Sequence, residues 1–215
     1  MQRVPHLFGK ALRETGQAMD RLGLSIAGNE IFRESYSRHR TVMPISVDRV
    51  PVVSNSSFVA PNASVIGNVN ISDNASIWYG TVLRADSPNT STQSSTAISI
   101  GKGSNVQDRS VLNGDITVGE DVTIGHGALM SGKVSIGDNC LIGQGSVCSS
   151  EVTIESNCII GAGAVLLPGT HVPSGQMWAG NPASFVRDCT DKEISDIAAQ
   201  SAGYVKHGKE HAAVY

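Results

Sequence analysis

The chain has 215 residues, room for one domain with appendages. A net charge of −3 gives no reason to expect nucleic-acid binding, and 5% aromatic content suits a narrow core filled by Ile, Val and Ala. No run of 18 apolar residues exists, so no helix of this sequence spans a membrane.

Residues 1–40 differ from the remainder of the chain, with seven Lys/Arg against four Asp/Glu. Phe8, Leu12, Met19 and Leu22 recur at helical spacing, with Lys10, Arg13, Glu14, Asp20 and Arg21 between them. The spacing predicts a helix from about His6 to Leu22, ended by Gly23. It can serve as an arm packed on a partner subunit, as an amphipathic helix on a membrane surface, or as uncleaved targeting information. Residues 41–52 read as a linker.

From Ile100 to Val172 every sixth residue is apolar: Ile100, Val106, Leu112, Val118, Ile124, Met130, Ile136, Ile142, Cys148, Ile154, Ile160, Leu166 and Val172. Four positions after each stands a small or β-branched residue, from Ser104 and Ser110 to Ala164 and Thr170. A helix needs a period of 3.6 and a simple strand a period of two. A period of six fits a coil of three short parallel strands, with one inward apolar residue per strand. Eighteen residues then make one coil, and coils stack at strand spacing, ~4.8 Å. The same phase holds upstream at Val53, Val59, Val65, Ile71, Ile77 and Leu83. It breaks between Leu83 and Ile100, so residues 84–97, rich in Ser, Thr, Asn and Pro, read as a protruding loop.

Asn62, Asn70 and Asn74 read as corner residues. Pro168, Pro173 and the GNPA stretch at 180–183 mark the end of the coils. Thr190 and Glu193 have capping-box spacing, and the apolar pattern beyond them predicts a helix from about Asp191 to His207 that covers a face of the prism. Cys140, Cys148 and Cys158 stand at inward positions and read as buried thiols. Cys189 is unassigned, and metal-type cysteine spacing is absent.

The period also says which side chains stack. Asn113 and Ser131 each follow an inward residue and differ by 18 positions, so they lie on one face, one coil apart. Asp108 and His126 also differ by 18 and stack on another face. The two sets do not converge within one chain. They can meet across the interface of a threefold trimer of parallel prisms. His6, His39, His171, His207 and His211 show no constellation and read as surface or packing residues.

Several stretches carry a resemblance: RETGQAMDRLG at 13–23, FRESYSRHRT at 32–41, then FVAPNASVIGNV, SIWYGTVLRAD, NVQD, TIGHGALMSG and WAGNPA in order. The chain resembles the gamma-class carbonic anhydrases, left-handed parallel β-helix proteins that form trimers. In detail it is similar to the gamma-carbonic-anhydrase-type subunits of mitochondrial respiratory complex I of plants, algae and some protists. The fold this implies is all-β: an N-terminal amphipathic arm and linker over 1–45, a left-handed, hexapeptide-repeat β-helix over 46–180, and a C-terminal segment with an α-helix over 181–215. The family's zinc is bound by three His, two from one subunit and one from its neighbour. The resemblance aligns Asn113 and Ser131 with the two same-subunit ligands and His126 with the donated one. A catalytic zinc needs three protein ligands and an open position for water. An amide and a hydroxyl replace two imidazoles poorly, so the chain's own site should hold no cofactor, and zinc is expected only at an interface where His126 meets two His of a neighbour. The resemblance further implies that Arg84 and Asp86 bridge subunits, with Ala85 where the family has Gly. It places Asn105, Gln107 and Asp108 in the active-site network and the interface.

Three functions compete. The first is a non-catalytic structural subunit in a heterotrimer with other gamma-carbonic-anhydrase-type subunits. It would lie on the matrix side of the mitochondrial inner membrane, attached to the complex I membrane arm, with the N-terminal arm reaching the membrane surface and no nucleic-acid partner. The second is an active gamma-type carbonic anhydrase. The third is a hexapeptide-repeat acyltransferase with His126 as general base.

Overall fold

A computed structural model describes residues 3–27, 41–46, 49–86 and 96–213. The chain divides into two units, Met1–His39 and Arg40–Tyr215. In the first, helix α1 spans Arg3–Ala27, longer at both ends than the spacing predicts. Gly23 does not end it. A glycine costs a helix interior only ~1 kcal/mol, and the apolar stripe continues past it. Ile26 falls on the same face as Phe8, Leu12, Met19 and Leu22, and all five are exposed. The FRESYSRHRT stretch lies almost wholly outside the described residues.

The second unit is a left-handed β-helix of about seven turns. Thirteen of thirteen residues in the hexad series from Ile100 to Val172 are buried, each at 2% exposure or less, which fixes the register of every coil. Burying each such side chain contributes about 1.5–3 kcal/mol against leaving it in water. Of the companion series, only Thr170 is not fully buried. Parallel pairing repeats every 18 residues: Leu112 opposes Met130, Met130 opposes Cys148, and Cys148 opposes Leu166. Strands Val111–Val118 and Leu129–Ile136 are long because each bends across two faces at a glycine corner, Gly114 and Gly132, both with positive φ.

Leu83 pairs with Leu112, 29 positions on instead of 18, so this coil carries the insertion that the phase break requires. The loop does not begin at 84: Arg84 and Ala85 continue strand Val82–Ala85, and residues 87–95 lie outside the described ones. The stretch read as linker is also partly structured. Strand Val42–Met43 stacks on Ser64–Gly67 and starts the prism before residue 46. At the far end, Ala183–Asp188 returns antiparallel onto Gln176–Gly180, a hairpin that the repeat does not announce.

Helix α2 spans Asp191–Ala212 and so runs past the expected end near His207. Thr190 forms the expected capping box with Glu193, and Arg187 makes a bidentate pair with the same carboxylate. The helix lies over strands Phe58–Val59, Ser76–Ile77, Asn105–Val106 and Thr123–Ile124. Ile197 and Ser201 are buried on its inner face. Gly208 is buried there too, packed so closely that an added Cβ would lie 3.4 Å from the Cβ atoms of Phe58 and Ser76.

Cys140, Cys148 and Cys158 are free and buried, as their inward positions require, and Cys189 is half-buried. Burial pushes the Cys148 thiol up to about 12. Contact with the Cys158 thiol, and then burial, push Cys140 up as well. No described helix is long and apolar enough to cross a membrane.

Candidate functional site

The two stacked pairs form as the count of 18 requires, and on different parts of the prism. Asn113 and Ser131 oppose each other in neighbouring strands, both exposed. Arg84 pairs with Asn113 on the other side, so the column reads Arg84, Asn113, Ser131. Arg84 Nε donates to both carboxylate oxygens of Asp86, at 2.9 and 3.0 Å. That guanidinium holds the Asp86 carboxyl below its usual range. Arg49 adds a bond from Nη1 to the Asp86 carbonyl. Within the chain these charges therefore answer one another. Ala85, between them, sits in a regular strand with its methyl in the core at 0% exposure, so the position needs no glycine conformation.

Asp108 and His126 meet at the corner where one coil turns into the next face. His126 Nδ1 lies 3.0 Å from Asp108 Oδ2, and the other Asp108 oxygen accepts the Tyr79 backbone N–H at 2.9 Å. Nδ1 is thereby committed, and Nε2 is left without a partner among the described residues. This is the arrangement by which a carboxylate orients an imidazole for metal ligation through the far nitrogen. His126 and Asp108 line a groove of about 580 Å³ with Asn62, Tyr79, Gly80, Arg109 and Gly127. Neither Asn113 nor Ser131 lines it. Among the described residues no three His, Cys, Asp or Glu gather as a ligand set. The amide of Asn113 and the hydroxyl of Ser131 are poor donors for a catalytic zinc, whereas His126 keeps one imidazole nitrogen without a partner among the described residues.

Asn105 and Gln107 do not face this groove. Both are buried: Asn105 Nδ2 donates to Thr123 Oγ1 at 2.9 Å, and Gln107 Nε2 reaches Asn105 Oδ1 at 3.3 Å. The Tyr204 phenol of α2 hydrogen-bonds the Gln107 side chain. The NVQD stretch thus splits: Gln107 meets Tyr204 of α2, Asn105 bridges Gln107 and Thr123, and Asp108 at the corner holds His126.

Sequence reasoning missed the part played by His211. Its Nδ1 lies 2.9 Å from the Tyr79 hydroxyl, and its ring packs edge-on to Trp78 with centroids 5.0 Å apart. The last turn of α2 therefore holds the residue whose backbone holds Asp108. Of the other histidines, His171 pairs with Glu155 at 2.9 Å and His207 with Glu210 at 3.3 Å, both on the surface.

Residues 115–150 match the bacterial transferase hexapeptide family, and residues 133–169 match the hexapeptide repeat of succinyl-transferase. Gamma carbonic anhydrase 1, mitochondrial, of Arabidopsis thaliana is 43% identical over 98% of this chain and 77% of its own length. Gamma carbonic anhydrase 2, mitochondrial, of the same plant is 38% identical over 98% and 76%. Among solved structures, a hexapeptide transferase family protein from Anaplasma phagocytophilum is 35% identical, covering 79% of this chain and 97% of that one, with a TM-score of 0.72. At 43% identity over 98% of its residues, the chain belongs to the gamma carbonic anhydrase family.

Proposed function

We propose that this chain is a non-catalytic gamma-carbonic-anhydrase-like subunit of a heterotrimer, in which it donates His126 to a zinc site completed by two His of a neighbour. One observation carries the reading. The two positions that would supply same-subunit ligands are Asn113 and Ser131, stacked in register, while the position that would serve a neighbour keeps an imidazole whose Nε2 has no partner among the described residues. Where such a zinc is bound, it supplies an acidified water for attack on CO2. This chain's own part is to hold one nitrogen in place.

The proposed setting is the matrix side of the mitochondrial inner membrane, on the membrane arm of complex I. The mitochondrial names of the relatives support the compartment, and their similarity runs through the N-terminal arm as well as the β-helix. The exposed stripe of α1 suits contact with a membrane surface or membrane-arm subunits. The acyltransferase reading draws on the same imidazole, but no observation favours it over the zinc-donor role. The purified chain alone tests the proposal. It should show neither stoichiometric zinc nor CO2 hydration above the buffer rate, and stoichiometric, active zinc in that preparation would overturn it.

A further inference from the structure

The corner beside His126 is a column of left-handed residues. Gly80, Arg109, Gly127, Gly145 and Gly163 have φ between 60° and 69°. Four of them, from Arg109 on, donate the backbone N–H to the carbonyl of the residue before the preceding corner: Tyr79, Asp108, His126 and Gln144. Glycine takes this conformation freely. An arginine does not, and it lacks the short polar side chain that lets Asn or Asp compensate locally. Arg109 thus occupies a position where every stacked neighbour is glycine, with no backbone reason to be there. Glu151 takes the same conformation, with φ 61°, so it is the groove beside Arg109 together with the strain that points toward function.

Its side chain is exposed, and among the described residues the guanidinium has no hydrogen bond or ion pair. Asp108, the carboxylate in the same groove, is already taken on both oxygens by His126 and the Tyr79 N–H. Asn62, also lining the groove, uses Oδ1 to accept the Gly80 N–H, which leaves its Nδ2 as a donor. Two unused donors therefore edge one groove, the Arg109 fork and Asn62 Nδ2, while His126 Nε2 beside them keeps its lone pair for a metal. A guanidinium fork matches a planar oxyanion with two parallel bonds.

We propose that Arg109, with Asn62, forms a binding site for a small planar oxyanion, bicarbonate or a carboxylate, beside His126. The choice of bicarbonate rests on the function proposed above, whereas the anion site itself needs no zinc. In the shared interface it would place the anion next to the donated imidazole.

The test uses the purified full-length protein without zinc, with arginine side chains labelled for NMR. Bicarbonate and formate are titrated against chloride at matched ionic strength. The expected result is a saturable shift of the Arg109 Nε signal with bicarbonate and formate. The dissociation constant, followed in every variant through the backbone amide shifts of the groove residues Gly80 and Gly127 in uniformly labelled protein, should rise at least tenfold in Arg109→Gly and less in Arg109→Lys. Glycine is the residue this corner otherwise uses, so Arg109→Gly keeps the fold, and loss of binding then reports the side chain. His126→Ala should leave formate binding largely in place while removing the donated zinc ligand, so the anion site and the zinc-donor role fail separately. An unchanged affinity in Arg109→Gly, an equal response to chloride, or loss of oligomer in Arg109→Gly without loss of formate binding would each overturn the proposal. The last would assign the guanidinium to a neighbouring subunit's carboxylate.

Discussion

His126 Nδ1 lies 3.0 Å from Asp108 Oδ2, one coil away in the same corner column. The carboxylate fixes which imidazole nitrogen remains to reach a neighbour. Asp108→Asn should therefore weaken zinc at the shared interface by about 10–100-fold while keeping the fold, since an amide oxygen still accepts the Tyr79 N–H. A chelator competition titration on the mixed trimer reads this directly. Unchanged zinc affinity would mean that another group orients the ring.

Helix α2 offers two glycines with opposite expectations. At Gly203 an added Cβ meets nothing within 4 Å, so Gly203→Ala should stabilise the protein, by about 0.5–1 kcal/mol from helix propensity. At Gly208 the same atom would already touch Phe58 and Ser76 at 3.4 Å. Gly208→Leu should cost about 1–3 kcal/mol by overpacking. Paired urea melts of the two variants measure both effects, and destabilisation by Gly203→Ala would show that the docked face of the helix is misplaced.

Acid should loosen the start of α2. The Arg187 guanidinium, then the Thr190 N–H and hydroxyl, hold the Glu193 carboxyl at about 2 instead of 4.5. A carboxylate lowered in the folded state contributes stability that is present above its unfolded value and lost as pH falls through the folded one. Docking of the first turn should weaken between about pH 4.5 and about pH 2. Protection factors at the Ile194 and Asp196 amides, corrected for the intrinsic exchange rate at each pH, should fall over that window, and Glu193→Gln should flatten the fall. A pH-independent profile in the wild type would contradict the pairing.

The four cysteines should label in two classes. A maleimide needs a thiolate and a path to it. Cys189 is half-buried, whereas Cys140, Cys148 and Cys158 lie inside the coils. Cys189 should react first by a wide margin, with the other three reacting only on unfolding. Mass spectrometry of the partially labelled native protein distinguishes these, and early modification of Cys148 would show a displaced coil register.

The parts legible in the sequence are those that the coil geometry dictates. An inward residue every sixth position leaves no freedom in which side chains fill the prism. A period of 18 therefore places Asn113 over Ser131 and Asp108 over His126. Contacts between the prism and α2 are not legible, because no period links them. Tyr79 and His211 are 132 positions apart, and nothing in either neighbourhood names the other. The length of α1 escapes for a different reason: Gly23 reads as a stop, although a glycine costs a helix interior only ~1 kcal/mol and the helix runs on to Ala27. Arg109 is hidden because an arginine in a turn is ordinary until its φ of 60° and its glycine neighbours are seen.

The central claim is that this chain has no zinc site of its own and completes that of another. Zinc counted per mixed trimer, in the wild type, in His126→Ala and in Asn113→His with Ser131→His, tests it most directly. The account predicts that His126→Ala loses one zinc with the trimer intact. It predicts that the double replacement gains one where the neighbour donates its own His. Unchanged zinc in His126→Ala, or wild-type zinc at the Asn113 and Ser131 interface, would contradict it.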